Sequence, residues 1–315
     1  MFFYFLIMPF QEIKPIETAE KYLDIAIKRA NKKVSQKKVQ GPRIQKIKTL
    51  ELTKIAIVRD ILDSRLKDIL NEFPKIKDLT PFYQKLVEYT IGKDKLKREL
   101  SKIKSTRIKI SDVFRKDNQK LKNTDNLKSI HSIKNGFYGR AASLLKNIDY
   151  NFLKNTRKIL QSFPIIKTRY KQVAIAGFPN VGKSTLLSKL TASKPEIAAY
   201  AFTTKGIMIG YLDKIQLLDT PGTLNRFNKM NEIEQQAYLV MKMVAKDIIY
   251  IFDLTEPYPL EDQIKLYERV KELGKPVIIY LSKTDILDEK KIKEFKKNYE
   301  SITDVKELKK LLRGE

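Results

Sequence analysis

The segment with the clearest chemical potential is a loop with two glycines in the middle of the chain. An apolar, strand-like run, Val173–Ala176, precedes this loop, and leucines at helical spacing follow it. Glycine lets backbone N–H groups approach phosphate oxygens at a helix N-terminus, while a lysine and a hydroxyl suit a triphosphate and a divalent cation. We predict that Lys183 is catalytic and that Ser184 is a Mg²⁺ ligand. The residues predicted to bind nucleotide phosphates are Gly177, Phe178, Pro179, Asn180, Val181, Gly182, Lys183, Ser184 and Thr185.

Two further segments have the character of loops that sense a γ-phosphate. Asp219 and Gly222 follow the strand-like run Ile215–Leu218. We predict that Asp219, at the strand end, is a Mg²⁺ ligand and that Gly222 is catalytic, with its N–H near the γ-phosphate. Between this motif and the first lies a loop with two adjacent threonines, one of which could complete the Mg²⁺ shell. We prefer Thr204 as the metal ligand and catalytic residue, with Thr203 as the alternative.

A third motif indicates which base the nucleotide carries. Ser282, Lys283 and Asp285 come directly after the strand-like run Val277–Leu281. A carboxylate at Asp285 can accept both edge N–H groups of guanine, which adenine lacks, while the Lys283 stem lies over the ring. The sequence therefore favours GTP and GDP over adenine nucleotides.

The elements that position these motifs alternate between short apolar runs and helical segments, which predicts a mainly parallel sheet with flanking helices. The predicted domain is an α/β P-loop fold covering residues 166–315. Its predicted strands are Val173–Ala176, Gly206–Tyr211, Ile215–Leu218, Ile248–Asp253 and Val277–Leu281. Its predicted helices lie near 183–191, 231–245, 260–273 and 288–298.

The first half of the chain has a helical pattern with almost no glycine. Apolar residues recur at spacings of three and four between lysines from about residue 17 to residue 163. Pro74 and Pro81 bracket a connection, Asn135–Gly139 separates two helical segments, and the last helix is predicted at 142–162. We predict an all-α helical bundle over residues 1–165.

Charge is distributed unevenly between the two halves. Residues 1–170 contain 39 Lys and Arg against 17 Asp and Glu, a net charge of +22, whereas the remainder contributes only +4. A strongly basic domain favours a polyanionic partner, and nucleic acid over a membrane, because neutralised phosphates release counterions. The alternative is a solvated basic surface without a partner. The absence of cysteine and the single histidine, His131, exclude disulfides, thiolate metal sites and multi-histidine zinc sites.

The first seven residues are apolar, but they lack a basic leader, a cleavage site and the length to span a bilayer. We interpret them as neither signal nor anchor, with Met8 as an alternative start to Met1. Together with the lack of cysteine, this leads us to expect a cytoplasmic protein.

Taken together, the motifs resemble those of TRAFAC-class G domains of the Obg type. Within that type, the segments Asn231–Ala237 and Asp253–Glu256 with Gln263 are similar to the nucleolar GTP-binding protein 1 family. The basic half agrees through Pro81–Tyr83, Gly92–Lys97 and Gly139–Ala142, so the resemblance covers about residues 9–312. The chain resembles an archaeal-type member.

The resemblance implies a GTPase whose helical domain docks on ribosomal RNA and assists assembly of the large ribosomal subunit from its precursor, as a monomer off the ribosome. It also implies that Ser301 contacts the base and that Asn180 has a catalytic role by holding K⁺. Ser282 stands where the guanine motif usually has asparagine, and Thr223 where a water-positioning glutamine often stands. We therefore expect a low intrinsic hydrolysis rate.

Two alternatives to this function remain open. One is a GTP-gated RNA-binding scaffold, and the other is a translation-associated regulator of the Obg/DRG type; in both, hydrolysis is incidental. Arg226 is a second candidate for stabilising the charge that develops during hydrolysis.

Overall fold

The computed structural model describes residues 10–191, 196–198, 207–220, 232–255 and 258–315. Within these ranges the chain forms two compact units. The helical unit contains the residues up to Lys75 together with Ile91–Gln161. The sheet unit contains Ile76–Thr90 and Ser162–Glu315, so a short helical segment from the first half of the chain belongs to the unit that holds the sheet. The predicted division at residue 165 stays a prediction.

The helices of the first half are amphipathic and begin at capping residues or prolines. Thr18 accepts a hydrogen bond from the Lys21 N–H at 3.3 Å and caps the first helix, and Asn126 caps the fifth in the same way. Apolar residues of the second helix at three-to-four spacing, such as Ile55, Val58 and Leu62, are fully buried. The bounds are α1 Ala19–Ser35, α2 Arg43–Glu72, α3 Pro81–Thr90, α4 Lys93–Lys122, α5 Leu127–Leu145 and α6 Tyr150–Ser162.

The prediction of one helix over 142–162, separated from another at Asn135–Gly139, is wrong. Helix α5 runs through this segment because buried Phe137 and Ala141 keep its apolar face in the core. The break lies after Leu145 instead, where the Asp149 side chain accepts a hydrogen bond from the Phe152 N–H at 2.9 Å and caps the new helix.

The sheet unit has a six-stranded sheet with the order β2-β3-β4-β1-β5-β6. The pairs β4-β1, β1-β5 and β5-β6 are parallel, and β2-β3 and β3-β4 are antiparallel, so the predicted mainly parallel sheet is confirmed. The strands are β1 Lys171–Ala176, β2 Glu196–Ala198, β3 Ile207–Leu212, β4 Ile215–Asp219, β5 Asp247–Phe252 and β6 Val277–Leu281. The helices are α7 Lys183–Leu190, α8 Glu232–Leu239, α9 Leu260–Lys271, α10 Glu289–Asn298 and α11 Val305–Arg313.

Three details differ from the predicted elements of this unit. The short edge strand β2 and the C-terminal helix α11 were not predicted. The helix predicted over 231–245 changes its hydrogen-bond pattern part of the way along, because a π-helical turn, Val240–Val244, follows α8.

Helix α3 packs within the sheet unit against α8 and the π-helical turn. Its apolar face, Phe82, Leu86 and Val87, is buried. The Tyr83 hydroxyl donates to the Pro164 carbonyl at 2.8 Å and accepts from the Ile166 N–H at 3.2 Å. These bonds tie α3 to the segment that leads into β1.

Across the described residues, no helix combines the length and the apolar character needed to cross a membrane.

Candidate nucleotide-binding site

The described residues of the predicted phosphate, metal and guanine motifs lie at the carboxyl ends of β1, β4 and β6, and β5 lies between β1 and β6. Strands β4, β1, β5 and β6 run in the same direction, so the segments that follow them meet at one edge of the sheet. This edge is where open α/β sheets bind their ligands. Gly182 illustrates the proximity, since a Cβ added to it would lie 3.8 Å from the Cβ of Ser282.

The loop between β1 and α7 depends on glycine. Gly177 has a φ of +147°, and a Cβ there would lie 2.9 Å from the Ile251 carbonyl oxygen and 3.1 Å from the Val181 side chain. Gly182 adopts a left-handed conformation with φ +95°, immediately before the first residue of α7. Asn180 also has a positive φ of 61°. The backbone thus adopts the tight turn that the sequence motif predicts.

Lys183 is the first residue of α7 and only 7% of its surface is exposed. Its ammonium group donates to the Gly177 carbonyl at 3.1 Å and to the Phe178 carbonyl at 2.6 Å. The charge is therefore held across the mouth of the loop, where it can interact with phosphate oxygens.

Ser184 and Asp219, the two described residues among the predicted Mg²⁺ ligands, are in direct contact. The Ser184 hydroxyl donates to Asp219 Oδ2 at 2.6 Å, while the buried Oδ1 has no hydrogen-bond partner among the described residues. Burial raises the pKa of the Asp219 carboxyl, and the Ser184 hydrogen bond and the Lys183 charge act in the opposite direction. An orphaned carboxylate oxygen beside a hydroxyl fits a hard cation such as Mg²⁺.

The other predicted phosphate-sensing residues cannot be placed in the same way. Thr203, Thr204 and Gly222 lie outside the described residues, as do Thr223 and Arg226. Among described residues, no cluster of three or more His, Cys, Asp or Glu side chains could hold a metal. A cation at Asp219 would thus need further ligands from the nucleotide, from water or from residues that the structure does not describe.

At the end of β6, Ser282 and Lys283 are held against β5. The Ser282 N–H and hydroxyl both donate to the Phe252 carbonyl, at 2.9 and 3.1 Å. Lys283 has a left-handed backbone with φ +52°, and Asp285 is exposed in the following 3₁₀ turn, Thr284–Ile286. In the usual guanine motif an asparagine stands at position 282; the smaller serine here forms its hydrogen bonds with the neighbouring strand.

Asp253 directly follows β5 and contacts the guanine motif. Its side chain is fully buried, and its Oδ2 lies 2.5 Å from the Lys283 ammonium. Although burial alone raises the pKa of this carboxyl, hydrogen bonds from Lys283 and Thr255 lower the pKa below its ordinary value. The buried Gln263 side chain accepts from the Asp253 N–H at 3.0 Å and donates to its carbonyl at 2.8 Å.

The predicted base-contact residue Ser301 lies in a segment that pairs with β6. The next residue, Ile302, accepts from the Leu281 N–H and donates to the Ile279 carbonyl, each at 2.9 Å. The Ser301 Oγ is buried and has no hydrogen-bond partner among the described residues. The structure thus brings the Ser301 segment beside the strand that leads into Lys283 and Asp285.

Sequence reasoning did not identify Asp253 or Gln263 as site residues. It also missed Tyr258, whose ring centroid lies 4.8 Å from that of Phe178 in the phosphate loop. A signal for Asp253 was present in the sequence, because a carboxylate directly after five apolar strand residues is costly to bury unless it has a partner.

Two family models match the chain. Residues 10–167, half of its length, match the NOG1 N-terminal helical domain, and residues 172–283 match a model described as a 50S ribosome-binding GTPase. Together they agree with the predicted order of a helical domain followed by a P-loop GTPase domain.

Related proteins are similar over most of this chain. An uncharacterized protein of Methanocaldococcus jannaschii is 32% identical over 90% of this chain and 83% of its own length. Nucleolar GTP-binding protein 1 of Drosophila melanogaster is 32% identical over 88% of this chain, and that of Saccharomyces cerevisiae 30% over 89%. The chain spans only 44% and 45% of the lengths of these two eukaryotic proteins.

Solved G domains are similar to a smaller part of the chain. The G domain of the T. maritima FeoB iron transporter is 28% identical, with a TM-score of 0.33, and the match covers 40% of this chain and 82% of that domain. An Era variant of Aquifex aeolicus bound to GDP·AlF4⁻ is 27% identical, with a TM-score of 0.31, over 44% of this chain and 50% of its own. The family assignment therefore comes from the sequence matches.

Proposed function

This chain belongs to the nucleolar GTP-binding protein 1 family, and from that premise we propose that it hydrolyses GTP and assists assembly of the large ribosomal subunit. In this proposal the helical unit docks on ribosomal RNA and the sheet unit binds GTP or GDP. The observation that carries the nucleotide part is the glycine turn that brings Lys183 together with the hydrogen-bonded pair Ser184 and Asp219.

At the phosphate end, backbone N–H groups from Gly177 to Thr185 would surround the β-phosphate at the start of α7. Lys183 would neutralise the β- and γ-phosphates, as its position over the loop carbonyls supports. Ser184 and Asp219 would hold Mg²⁺, with Thr204 or Thr203 and the Gly222 N–H responding to the γ-phosphate. When bound, Mg²⁺ would neutralise negative charge on the phosphate oxygens.

At the base end, Asp285 would accept the two guanine N–H groups, with Ser301 close to the same face. The exposed position of Asp285 beside the left-handed turn at Lys283 supports access to a ligand. Guanine recognition by a carboxylate explains a preference for GTP over ATP.

Slow intrinsic hydrolysis is part of the proposal. Thr223 has no amide to orient water, unlike the glutamine that often stands at this position. Asn180, exposed in a left-handed conformation at the loop, would contribute through a bound K⁺. Contact with a ribosomal particle would then supply the remaining acceleration.

A cleft in the helical unit supports docking on RNA. It is open to solvent and has a volume of about 420 Å³, and of the seven described residues that line it three are cationic and none is acidic. Arg157 is held in place because its Nε donates to the Ile13 carbonyl at 2.6 Å. A guanidinium held in place beside two lysines suits contacts with RNA phosphates. The lining residues are Pro15, Ile16, Asn151, Lys154, Asn155, Arg157 and Lys158.

Single-turnover GTP hydrolysis with and without purified large-subunit particles tests the enzymatic part. We expect measurable but slow turnover alone, faster turnover in K⁺ than in Na⁺, and acceleration by particles. A rate that particles leave unchanged would support the scaffold function instead.

RNA binding by the full chain at increasing salt tests the docking part. We expect a steep loss of affinity with salt, and a larger loss for the double variant Lys154→Glu/Lys158→Glu than for Lys104→Glu/Lys109→Glu. The control pair carries the same change of charge at two exposed positions of α4. An equal loss of RNA affinity in the two double variants would mean that the net charge of the chain, and not the cleft, determines binding.

A further inference from the structure

The ion pair between Asp253 and Lys283 stands out because one partner is completely buried. The Asp253 side chain has no exposed surface, whereas a third of the Lys283 side chain remains exposed. A buried carboxylate is costly to desolvate unless a charge and hydrogen bonds compensate. Here Thr255 donates to Oδ1 from its N–H at 2.9 Å and its hydroxyl at 2.6 Å, which leaves Oδ2 to face the lysine.

The main chain that carries this carboxylate is fixed as well. Gln263 of α9 bonds to both the N–H and the carbonyl of Asp253, and it is buried. The side-chain amide therefore continues the hydrogen-bond pattern of β5 beyond the end of the strand. Asp253 is consequently a rigid anchor, not a surface carboxylate that samples several rotamers.

The lysine that this anchor holds is conformationally unusual. Lys283 has φ +52° and ψ +33°, a left-handed conformation that side-chain-bearing residues seldom adopt. Such backbone conformations persist where surrounding interactions determine them, and they concentrate at functional sites. The preceding residue is also fixed, by the two hydrogen bonds from Ser282 to Phe252.

We propose that Asp253 is a positioning residue for purine recognition, which holds the Lys283 ammonium so that the four-carbon stem lies ready to cover the base. This inference rests on the proposed binding of GTP. Lysine carries a large rotamer entropy, which is lost on binding unless the side chain is ordered beforehand. Anchoring the ammonium at the end of β5 removes most of that loss before the nucleotide arrives.

The roles of Asp253 and Asp285 can be distinguished because their loss should change the affinities for different ligands. The Lys283 stem covers any purine, so loss of its anchor weakens GDP and IDP by the same factor. Asp285 reads the N–H groups of the base edge, so its loss changes the ratio between GDP and IDP, which lacks the 2-amino group. Neither change affects a ligand without a base.

The test is calorimetric titration of the full chain and of Asp253→Asn with GDP, IDP and pyrophosphate. We expect the variant to bind GDP and IDP about tenfold more weakly, which is the scale of one lysine that must be ordered on binding. The GDP to IDP ratio and the pyrophosphate affinity should stay at the values of the unaltered chain.

A matched control lies at the other end of the same strand. Asp247, the first residue of β5, forms an ion pair with Lys171. Asp247→Asn removes a lysine partner from the same strand, and it should leave all three affinities unchanged. In the background of Lys283→Met, Asp253→Asn should change GDP affinity less than twofold, because the side chain that it positions is gone.

Three results would overturn the proposal: unchanged GDP affinity in Asp253→Asn, an equal loss for pyrophosphate, or additive effects with Lys283→Met. If Asp253→Asn does not fold, Asp253→Ser replaces it and the same comparisons apply. A full chain that binds GDP no better than ADP would overturn the proposed function and this role with it. A chain that prefers GDP but fails the lysine comparison would overturn this role alone.

Discussion

The phosphate end and the base end of the site are built in different ways. At the proposed phosphate end, positive-φ glycines shape the loop and a buried lysine bonds to two of its carbonyls, while the Ser184 hydroxyl holds the partly orphaned Asp219 carboxylate. At the proposed base end, the predicted guanine-binding carboxylate Asp285 is exposed, and the lysine close to it in sequence, Lys283, pairs with one buried side chain, Asp253.

This difference indicates how changes at the two ends should act. Backbone geometry cannot be altered without straining the turn, so changes at the phosphate end should affect both folding and binding. The base end depends on individual side chains, so changes there should alter selectivity while the fold persists. Single substitutions at each end test this contrast.

Gly177→Ala should abolish nucleotide binding. The new Cβ would lie 2.9 Å from the Ile251 carbonyl oxygen, and the φ of +147° is one that L-residues rarely adopt. We expect a loss of at least about 100-fold in GDP affinity, and a decrease of about 2 kcal/mol in the free energy of unfolding. Calorimetry and denaturant unfolding would measure both.

The control for this variant is Gly139→Ala within α5. A Cβ there meets nothing within 4 Å, so this change should stabilise the chain by about 0.5–1 kcal/mol and leave GDP affinity unchanged. Tight GDP binding by Gly177→Ala would contradict the dependence of the phosphate end on backbone geometry, because the turn would then tolerate a side chain.

Asp285→Ala should remove the preference for guanine without unfolding the protein. We expect GDP affinity to decrease about 100-fold or more and ADP affinity to stay the same, because only guanine presents two N–H groups to this carboxylate. Competition binding with both nucleotides would measure the ratio. The exposed acid Asp262, paired with Lys265 on α9, supplies a control in Asp262→Ala. A parallel loss for ADP would show that Asp285 supports the fold.

The affinity for Mg²⁺ should depend on pH through Asp219. Because burial raises its pKa, the folded state holds this proton more tightly than the unfolded chain does. Without a cation, stability therefore decreases as the pH rises from the ordinary pKa through the raised one. Protons compete with the cation, so Mg²⁺ affinity should fall up to tenfold per pH unit on acidification below that pKa.

Thermal shifts with GDP and graded Mg²⁺ at several pH values would measure this dependence. Asp219→Asn, which cannot titrate, should flatten the profile and weaken Mg²⁺ binding. A wild-type profile as flat as that of the variant would contradict the assignment of Asp219 as a metal ligand.

Ser282→Ala should have the smallest effect. The hydroxyl bonds to the Phe252 carbonyl, so its loss should decrease the free energy of unfolding by about 1 kcal/mol and change GDP affinity less than threefold. Denaturant unfolding and GDP titration would measure these quantities. Ser188→Ala, which removes a hydroxyl that bonds to the Ser184 carbonyl on an exposed helix face, is the control and should cost less. A large loss of GDP affinity in Ser282→Ala would mean that this serine contacts the nucleotide.

The strands that hold the site could be predicted from the sequence because each is an apolar run that ends at a polar motif. For example, Val277–Leu281 was predicted with the observed bounds. The edge strand β2 has three residues, and its pairing with β3 depends on a neighbour, not on a local pattern. Helix α11 did carry a signal, since Asp304 caps it and Leu308 and Leu312 recur at helical spacing.

Contacts between segments far apart in the sequence could not be predicted from local apolar patterns. The ends of successive parallel strands are expected to meet, which placed the phosphate and guanine motifs together. The five apolar residues before Asp253 indicate that its carboxylate needs a partner if it is buried, but nothing local identifies Lys283 as that partner. Similarly, Phe82, Leu86 and Val87 predict that α3 is buried on one side, but not that α8 covers it.

The place of α3 in the sheet unit has a consequence for how the protein can be divided. Within the residues that the structure describes, the chain passes between the units at three points, next to residues 75, 90 and 161. A fragment beginning at residue 166 would lack α3 and leave Ala237, Val240 and Met241 without a helix that packs against their segment. A single cut near residue 165 would therefore separate α3 from the unit that it packs in.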